Sequence, residues 1–523
     1  MVNVRMQCGV RAGKMNSGAR AGNSDGARGA LGKIRRTHAR KLAILALAML
    51  TAGCAAGPDF RRPAEPEVAA YTATPPAPWT ASAPTRFGEA QRLIVGVPVE
   101  AAWWRNLKSP RLDALIEAAL EASPSLAAAQ ATLRQAQEIL SARAGSTLYP
   151  QVDAGLGAQR QRLSPSALGQ GGEAREFSLY NAGLDVRYNL DLAGGNRRAL
   201  EALAARADHR RHELAAARLI LAGNIATAAI TRARLAAQLE TTAAILRGQE
   251  EQVHLARERL RLGQAAPDEV LALQTQAERT RAGLPALHKQ MQQTEHLLAV
   301  LAGRAPGAGG VPAFTLADFA LPAELPVVVP SELVRRRPDI QAAEALLHAA
   351  NAEYGVAVAR LYPQIDLSAS LGSQALSSGA LFGSGSAVWS LLGQLTQPLF
   401  NPGLPAEKRA ALAAFEAAAA NYQGVVLEAL RNVADALRAV ENDAQTLAAL
   451  ASADKAPQGS LRAAGQEHVL GAASYAQLLI AQQQALETRL GLAEAQAQRL
   501  ADSVALYQAM GAGTGDEQAV SMR

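Results

Sequence analysis

Four segments of the chain alternate between apolar and polar residues. The apolar positions of the first two are Val152, Ala154, Leu156 and Ala158, then Tyr180, Ala182, Leu184, Val186, Tyr188 and Leu190. Those of the last two are Ile365, Leu367, Ala369 and Leu371, then Trp389, Leu391, Gly393 and Leu395. A period of two places alternate side chains on opposite faces of a strand. The pattern therefore predicts two strand pairs, within residues 150–191 and 364–398, each strand having one polar face.

Two long stretches with helical composition follow the strand pairs. Residues 196–263 contain no Pro, residues 404–471 begin with Pro405 in the first turn, and both are rich in Ala and Leu. As helices they would extend about 100 Å each. Each stretch reaches a Gly and then reverses, which predicts long antiparallel hairpins over 196–303 and 404–510. Pro285 lies inside the first return helix, where we expect a kink or an interruption.

The chain is written as two repeats of similar length. "LYPQVD" from Leu148 returns as "LYPQID" from Leu361, and "LGQAAPDEVLALQTQ" from Leu262 aligns with "LGAASYAQLLIAQQQ" from Leu470. In each half a helix runs into the LYPQ strand. We expect a first repeat at 103–303, a Pro- and Gly-rich irregular linker at 304–330 and a second repeat at 331–511. Residues 54–102 should be extended, and residues 512–523 a flexible tail.

The strand count limits how such a sheet could be used. Two amphipathic hairpins can belong to an ordinary soluble sheet. The alternative is a membrane β-barrel with its apolar face toward lipid and its polar face toward a water-filled lumen. Four strands cannot close a barrel, and open sheet edges cannot face lipid. The membrane interpretation therefore requires several copies of the chain.

The basic character of the chain comes from its first residues. Residues 1–53 hold ten of the 52 Lys and Arg residues and one of the 46 acidic residues, so the remainder is slightly acidic and nucleic acid is not an expected partner. "KIRRTHARK" precedes the apolar "LAILALAML", which is too short to span a bilayer, and "TAGC" ends at Cys54. This resembles a bacterial lipoprotein signal, although Thr51 stands where that signal usually has Leu.

The predicted consequence is a covalent lipid on Cys54 after removal of residues 1–53. Two or more acyl chains would hold the protein on a membrane. Ala55 follows, where lipoproteins held at the inner membrane usually have Asp, so we expect the outer membrane. A buried, inert Cys54 is the alternative. The only other cysteine is Cys8, so the processed chain can form no intrachain disulfide.

The sequence offers no constellation that predicts an enzyme, a metal site or a cofactor. It has no HExxH motif, phosphate-binding loop or Ser/His/Asp pattern. His209 and His212 have a spacing that permits a metal site, but with Asp208 and Glu213 beside them a solvated, charged helix face is the favoured interpretation.

Several motifs, in order and partly duplicated, resemble one family. They are "CAAGPDFRRP", "WWRNLKSPRLDALIEAAL", both LYPQ segments, "RRPDI", "QPLFNPG" and "LLIAQQQALETRLGLAEAQAQRLADSVALYQAMGAG". The chain is similar, from Cys54 to about Gly513, to the TolC- and OprM-like outer-membrane efflux proteins, and within them to the NodT-type lipoprotein branch.

The resemblance implies a mainly α-helical fold with a membrane β-barrel part. Three copies would form one 12-stranded outer-membrane barrel and a 12-helix tunnel through the periplasm of a Gram-negative bacterium. It also implies a periplasmic adaptor and an inner-membrane pump, usually of the resistance-nodulation-division type, as partners. The expected function is a passive, gated exit duct for small molecules. Type I protein secretion is an alternative, and a periplasmic adaptor, a coiled-coil lipoprotein or a lipid-anchored enzyme are weaker ones.

The resemblance further implies a gate at the periplasmic tip. Transferred by the pattern "G…Y…LL.AQ", the gate-facing positions are Ala476, Gln477 and Ile480, and Glu269 lies opposite Gln477 in the first half. Ile480 stands where relatives usually have Asp, so three Ile would exclude water rather than bind cations. The alternative is that Ile480 packs between helices. Gly263 and Gly471 would meet the adaptor's hairpin tips, and both also fit a helix end that needs a left-handed residue.

Overall fold

Helices make up most of the protein, as the sequence predicts. The computed structural model describes residues 55–164, 169, 171 and 173–511, so residues 1–53, Cys54 and the tail 512–523 lie outside the described part. The helices are α1 (Pro110–Ala122), α2 (Pro124–Leu148), α3 (Gly195–Arg261), α4 (Pro267–Leu301), α5 (Pro330–Arg336), α6 (Pro338–Ala359), α7 (Gly403–Ala453), α8 (Lys455–Val469) and α9 (Tyr475–Ala509). Short 3-10 helices lie at Trp103–Leu107, Pro306–Ala308, Leu316–Asp318 and Ser378–Ala380.

Six strands form two sheets in the described residues. They are β1 (Arg92–Val95), β2 (Gln151–Leu163), β3 (Arg175–Leu190), β4 (Glu324–Val327), β5 (Gln364–Ala375) and β6 (Ala387–Thr396). The larger sheet has the order β2-β3-β5-β6, and every neighbouring pair is antiparallel. It therefore joins the two alternating strand pairs of the sequence into one surface, with β3 beside β5.

The longest helix, α3, is built for close packing. It has 67 residues without Pro, and its buried positions include Ala222, Ala226, Ala229 and Ala233, each at most 1% exposed. Such small side chains let α3 pack closely against α4, α6 and α9. An 18-residue stretch of α3 has a mean hydropathy of 1.5, enough by length and composition to cross a membrane, but half of it is buried inside the chain. Helix packing accounts for that apolar stretch.

Both helical hairpins turn at a glycine in the left-handed region. Gly263 has φ +74° and Gly471 has φ +76°. In each turn the next residue's N–H donates to a carbonyl five residues back, from Gln264 to Arg259 at 2.7 Å and from Ala472 to Glu467 at 2.8 Å. These bonds satisfy carbonyl groups at the helix ends that have no N–H partner within the helix. This is the Schellman motif, which the positive φ of glycine permits. The two turns thus share the same backbone conformation and hydrogen-bond pattern.

One expectation about the helices is wrong, and a second is wrong in part. The second long stretch is not one helix, because α7 ends at Ala453 and α8 begins at Lys455. Pro457 lies in the first turn of α8, where its missing N–H needs no helical partner but could not continue α7. Conversely, α4 runs from Pro267 to Leu301 without the interruption that we expected at Pro285 as the alternative to a kink.

The smaller sheet joins the N-terminal segment, which was expected to be extended, to the linker, which was expected to be irregular. β1, in the N-terminal segment, pairs in parallel with β4, in the linker between the halves, with Leu93 opposite Leu325. Beside this sheet lies the main hydrophobic core, where the Trp103 ring stacks on Tyr507 with 5.4 Å between centroids and Phe314 is fully buried. The linker therefore contributes a strand to the smaller sheet, and the prediction of little regular structure there is wrong for residues 324–327.

The N-terminal segment also runs along the outside of α6. Arg198 of α3, 4% exposed, donates to the Ala56 carbonyl at 3.2 Å and to Asp59 at 2.7 Å. Further along, Phe60 stacks on His348 with 4.3 Å between ring centroids, and Arg62 pairs with Glu344 at 2.7 Å. Specific contacts therefore hold the segment in place.

Candidate functional site

One face of the four-stranded sheet is apolar across all four strands. The register places Val152 opposite Val186, Leu184 opposite Leu371, and Leu371 opposite Trp389. In a single chain this face is uncovered: Leu156 is 83% exposed, Trp389 77% and Leu391 75%. A contiguous apolar surface of this size needs either another protein or lipid to cover it.

The opposite face of the sheet is mostly polar where the strands lie near the helices. Arg187 lies 4.0 Å from Asp153, and Asn189 donates to Asp366 at 2.7 Å. The Ser370 and Ser390 hydroxyls form a hydrogen bond at 2.7 Å. Asp153 and Asp185 are direct cross-strand neighbours, a like-charged pair that is tolerable only where water solvates both carboxylates. This face is suited to line an aqueous space.

The outer edges of the sheet are open within the described chain. β2 and β6 are the terminal strands, with 13 and 10 residues, and each pairs with a neighbour on one side. Long, flat edges expose unpaired N–H and C=O groups. In hydrocarbon such groups would each cost several kcal/mol, so lipid could cover this sheet only if further strands paired with its edges.

A cavity of about 520 Å³ lies where the strands pass into the helices. Its lining includes the charged side chains Arg143, Arg187, Asp191, Arg360 and Asp366. Asp191 also starts α3, because its carboxylate accepts hydrogen bonds from the backbone N–H of Asn196 at 3.0 Å and of Arg197 at 2.8 Å. The polar face of the sheet therefore continues into a charged rim at the helical end.

At the second hairpin tip, the predicted gate residues lie in the first turns of α9. Ser474 caps this helix: its hydroxyl accepts from the Gln477 N–H at 3.3 Å, and the Gln477 side chain accepts from the Ser474 N–H at 2.8 Å. Ala476 is half-buried, whereas Ile480 is 51% exposed and its neighbour Leu479 is 4% exposed. Leu479 thus packs within the chain, and Ile480 points away from that contact.

At the first tip, Glu269 has the position in α4 that Gln477 has in α9. Both are third residues of their helices, and both are held locally, since Glu269 pairs with Arg259 of α3 at 2.9 Å. Arg259 also donates to the Gln264 carbonyl at 3.1 Å. The capping role of Gln477 was missed from the sequence, although Ser474 followed three residues later by Gln477 is a readable capping signal.

Both turns carry exposed apolar residues next to their glycines. Leu262 is 59% exposed, Val469 86% and Leu470 81%. A Cβ added at Gly263 or Gly471 would meet no atom within 4 Å. The tips are therefore open, apolar ends of the two hairpins.

The remaining predicted residues lie elsewhere. Cys54 is outside the described residues, but Ala55 packs against Gly194, directly before the start of α3. His209 is not on a solvated face as expected, because its side chain is 13% exposed and its Nδ1 lies 3.0 Å from the Ala342 carbonyl of α6. Burial lowers the pKa of His212 to about 4. Within the described chain, no group of three metal-ligating side chains is found.

The sequence did not reveal a buried arginine that organises the N-terminal segment. Arg499 of α9, 2% exposed, donates to the carbonyls of Phe87 at 2.7 Å and Glu89 at 3.1 Å, and to Gln91 at 2.8 Å. Next to it, burial and the neighbouring Asp443 raise the pKa of Asp502 to about 7. A single Arg on a helix has no sequence signal that distinguishes it from a surface Arg.

Comparison with known proteins gives consistent matches over most of the chain. The sequence matches the family described as outer membrane efflux protein over residues 115–304 and 329–512. The pyoverdine export outer membrane protein OpmQ of Pseudomonas putida is 32% identical over 444 residues, covering 84% of this chain and 92% of that protein. The antibiotic efflux pump outer membrane protein ArpC of Pseudomonas putida is 30% identical over 486 residues, covering 90% and 95%.

Solved structures agree with the sequence matches. The outer-membrane channel OprN has a TM-score of 0.76 at 28% identity, covering 88% of this chain and 99% of that one. The open state of the Neisseria gonorrhoeae MtrE outer membrane channel has a TM-score of 0.73 at 27% identity, with 88% and 99% covered. The predicted resemblance is confirmed, and the chain belongs to the outer membrane efflux protein family.

Proposed function

We propose that the protein is the outer-membrane channel of a tripartite efflux pump, a passive and gated exit duct for small molecules. Each of three copies would contribute four β-strands to a 12-stranded barrel. Each would also contribute the four helical segments of its two long hairpins to a 12-helix periplasmic tunnel. The observation that carries this proposal is the four-stranded sheet, with one uncovered apolar face, one polar face and two open edges.

Closure of the barrel follows from the sheet edges. Single-chain barrels use at least about eight strands, so a sheet of four must combine with copies of itself. The β6 edge of one copy would pair with the β2 edge of the next, which satisfies the backbone groups that lipid cannot. The number three comes from the family resemblance, and the open edges support association as such.

The hairpin tips support docking to a periplasmic adaptor. Leu262, Val469 and Leu470 are apolar and exposed at the ends of the two hairpins, a place where a soluble chain gains nothing from exposing them. Burial against an adaptor's own hairpins would remove this apolar surface from water. The adaptor would in turn connect the channel to an inner-membrane pump of the resistance-nodulation-division type, which supplies the energy.

The gate would be formed by α9 near its start. Three copies of Ile480, half-exposed within one chain, would narrow the pore with an apolar ring that excludes water and hydrated ions. Gln477 and Glu269 are engaged in local hydrogen bonds or ion pairs, so they would contribute to the closed tip by fixing the helix starts. Ala476 would lie beside them.

A lipid on Cys54 would fit the position of the next residue. Ala55 lies against Gly194, between the end of β3 and the start of α3, and the Ala56 N–H donates to the Ala193 carbonyl at 2.8 Å. In the proposed barrel this is the periplasmic rim. Acyl chains tethered one residue away would enter the inner leaflet of the outer membrane beside the barrel.

The names of the relatives favour small-molecule export over type I protein secretion. The names of OpmQ and ArpC refer to export of pyoverdine and to efflux of antibiotics. We extend the chemical class, small organic molecules, to this chain. The particular compound would be selected mainly by the partner pump.

Deletion of the gene from the source bacterium tests this function. Accumulation of a fluorescent dye and growth in the presence of antibiotics and organic solvents would be measured, with a parallel assay of secreted proteins. Complementation by the wild-type gene should restore low accumulation. Unchanged accumulation of every compound, together with loss of a secreted protein, would favour the type I alternative instead.

A further inference from the structure

Two arginines lie on the apolar face of the sheet, at the end away from the helices. The apolar positions of β2 are even-numbered, and the alternation continues from Ala158 to Arg160 and Arg162. The register sets Ala158 opposite Tyr180, Arg160 opposite Ser178 and Arg162 opposite Glu176. Both arginine side chains are well exposed, at 76% and 70%. These charges therefore project from the same face as the apolar band.

Two tyrosines mark the height of that band on β3. Tyr180 and Tyr188 lie on the apolar face, with Ala182, Leu184 and Val186 between them. Eight residues of a strand tilted by about 40° span roughly 20 Å along the barrel axis, close to the apolar band of outer-membrane barrels with aromatic girdles on both sides. Arg160 and Arg162 lie about 5 and 10 Å beyond the Tyr180 level on the same scale. That is the level of lipid headgroups.

The charge at this place is unbalanced within the described chain. Arg160 lies 3.2 Å and Arg162 3.9 Å from the two carboxylate oxygens of Glu176. Two guanidinium groups thus lie beside one carboxylate, and the three groups together carry a net positive charge. Each guanidinium carries five N–H donors in a planar fork that matches the oxygens of a phosphate group.

From this juxtaposition we infer that Arg160 and Arg162, positioned by Glu176 above Tyr180, bind the phosphate headgroup of an outer-leaflet lipid, a phosphorylated glycolipid of the lipopolysaccharide class. The inference rests on the proposed barrel, which turns this face toward lipid. Continuity with the apolar band selects a lipid over a free phosphate ion, because acyl chains attached to the bound headgroup would lie along Leu156 and Leu184. Three such sites would surround each trimer.

The test uses the full-length trimer purified from outer membranes and stripped of bound lipid. Binding of lipopolysaccharide is measured in nanodiscs of phosphatidylcholine for the wild type, for Arg160→Gln/Arg162→Gln, and for Arg175→Gln/Arg187→Gln. The last variant removes the same charge, but from the opposite face, since Arg175 and Arg187 are odd-numbered positions of β3, like Asp185. Dephosphorylated lipopolysaccharide and inorganic phosphate are the two further probes.

We expect the outward-face variant to bind lipopolysaccharide at least about tenfold more weakly, since two charged hydrogen-bonding groups are lost, and the opposite-face variant to bind like the wild type. The wild type should also bind dephosphorylated lipopolysaccharide at least about tenfold more weakly than the phosphorylated form. This comparison does not depend on how well any variant folds. Equal binding of both forms would overturn the inference, as would equal losses in both variants. If inorganic phosphate displaces lipopolysaccharide completely, the arginines bind a phosphate ion rather than a lipid, and the lipid assignment is overturned.

Failure of this inference is distinguishable from failure of the proposed function. The mass and the membrane location of the same preparation report on the channel. A trimer in the outer membrane without preference for phosphorylated lipid contradicts the lipid site alone, whereas a monomer outside that membrane contradicts the channel and the lipid site together.

Discussion

The two faces of the sheet can be tested by placing the same charged side chain on each. Leu184 and Asp185 are consecutive residues of β3. Leu184 lies on the apolar face opposite Leu371, and Asp185 on the polar face opposite Ser370 and Asp153. The variants Leu184→Arg and Asp185→Arg therefore differ by one residue in position and by the side of the sheet. In the proposed barrel the first arginine meets lipid and the second meets water.

The expected penalty follows from the depth of Leu184. It lies four residues from both Tyr180 and Tyr188, and so about 10 Å from either girdle, at the middle of the apolar band. An arginine facing lipid at that depth costs about 2–4 kcal/mol in an outer-membrane barrel. Three copies would cost roughly 6–12 kcal/mol per trimer if the effects add. Asp185→Arg should cost little, because its new charge is solvated and lies near Asp153.

The assay is the amount of assembled trimer in purified outer membranes, together with its resistance to dissociation by detergent on heating. Leu184→Arg should reduce assembled trimer severely, and Asp185→Arg should assemble like the wild type while changing the ion selectivity of single channels. Leu184→Ala controls for the loss of apolar side-chain volume. Equal assembly of the two arginine variants would refute the assignment of faces, and a greater defect in Asp185→Arg would reverse it.

Three further predictions concern the gate, the tips and the helical body. Ile480→Asp should leave trimer assembly intact and increase the cation selectivity of single channels, and unchanged selectivity would argue against a gate at this position. Gly471→Trp should impair export more than Gly471→Ala, which has the same backbone strain at φ +76° without the bulk, and equal export would argue against docking at the tip. The pKa of Asp502 is raised by burial and by Asp443 to about 7, so the stability that this carboxyl contributes is greatest at low pH and is lost as the pH rises through that value. The Tm should therefore fall from about pH 5 to about pH 8 in the wild type, and less in Asp502→Asn; the same slope in both would contradict that origin.

The large sheet was predictable because its pattern is local. Alternation from Val152 onward and from Tyr180 onward persists over enough residues to establish a strand with two faces, and a polar face opposite an apolar one follows directly from the period. The longest helix, α3, was predictable from composition in the same way. The glycine turns could be recognised because the hairpins reverse there, and both turns indeed have positive φ.

Long-range pairing explains what the sequence did not reveal. β1 and β4 have four residues each, and Leu93 pairs with Leu325, which lies far away along the chain. A Pro-rich sequence with no alternation gave no local sign of that pairing. Arg499 is similar, since its acceptors lie more than 400 positions earlier, around Phe87. The break before α8 is different, because Pro457 was a readable signal that could have been used.

The measurement that tests the central claim most directly is the mass of the native assembly. The protein would be extracted in mild detergent from purified outer membranes and analysed by native mass spectrometry. The account predicts three chains per particle, each with the mass of a processed chain plus covalent lipid. A monomer would leave the edges of β2 and β6 unpaired and the apolar face of the sheet without a closed barrel, and would contradict the channel.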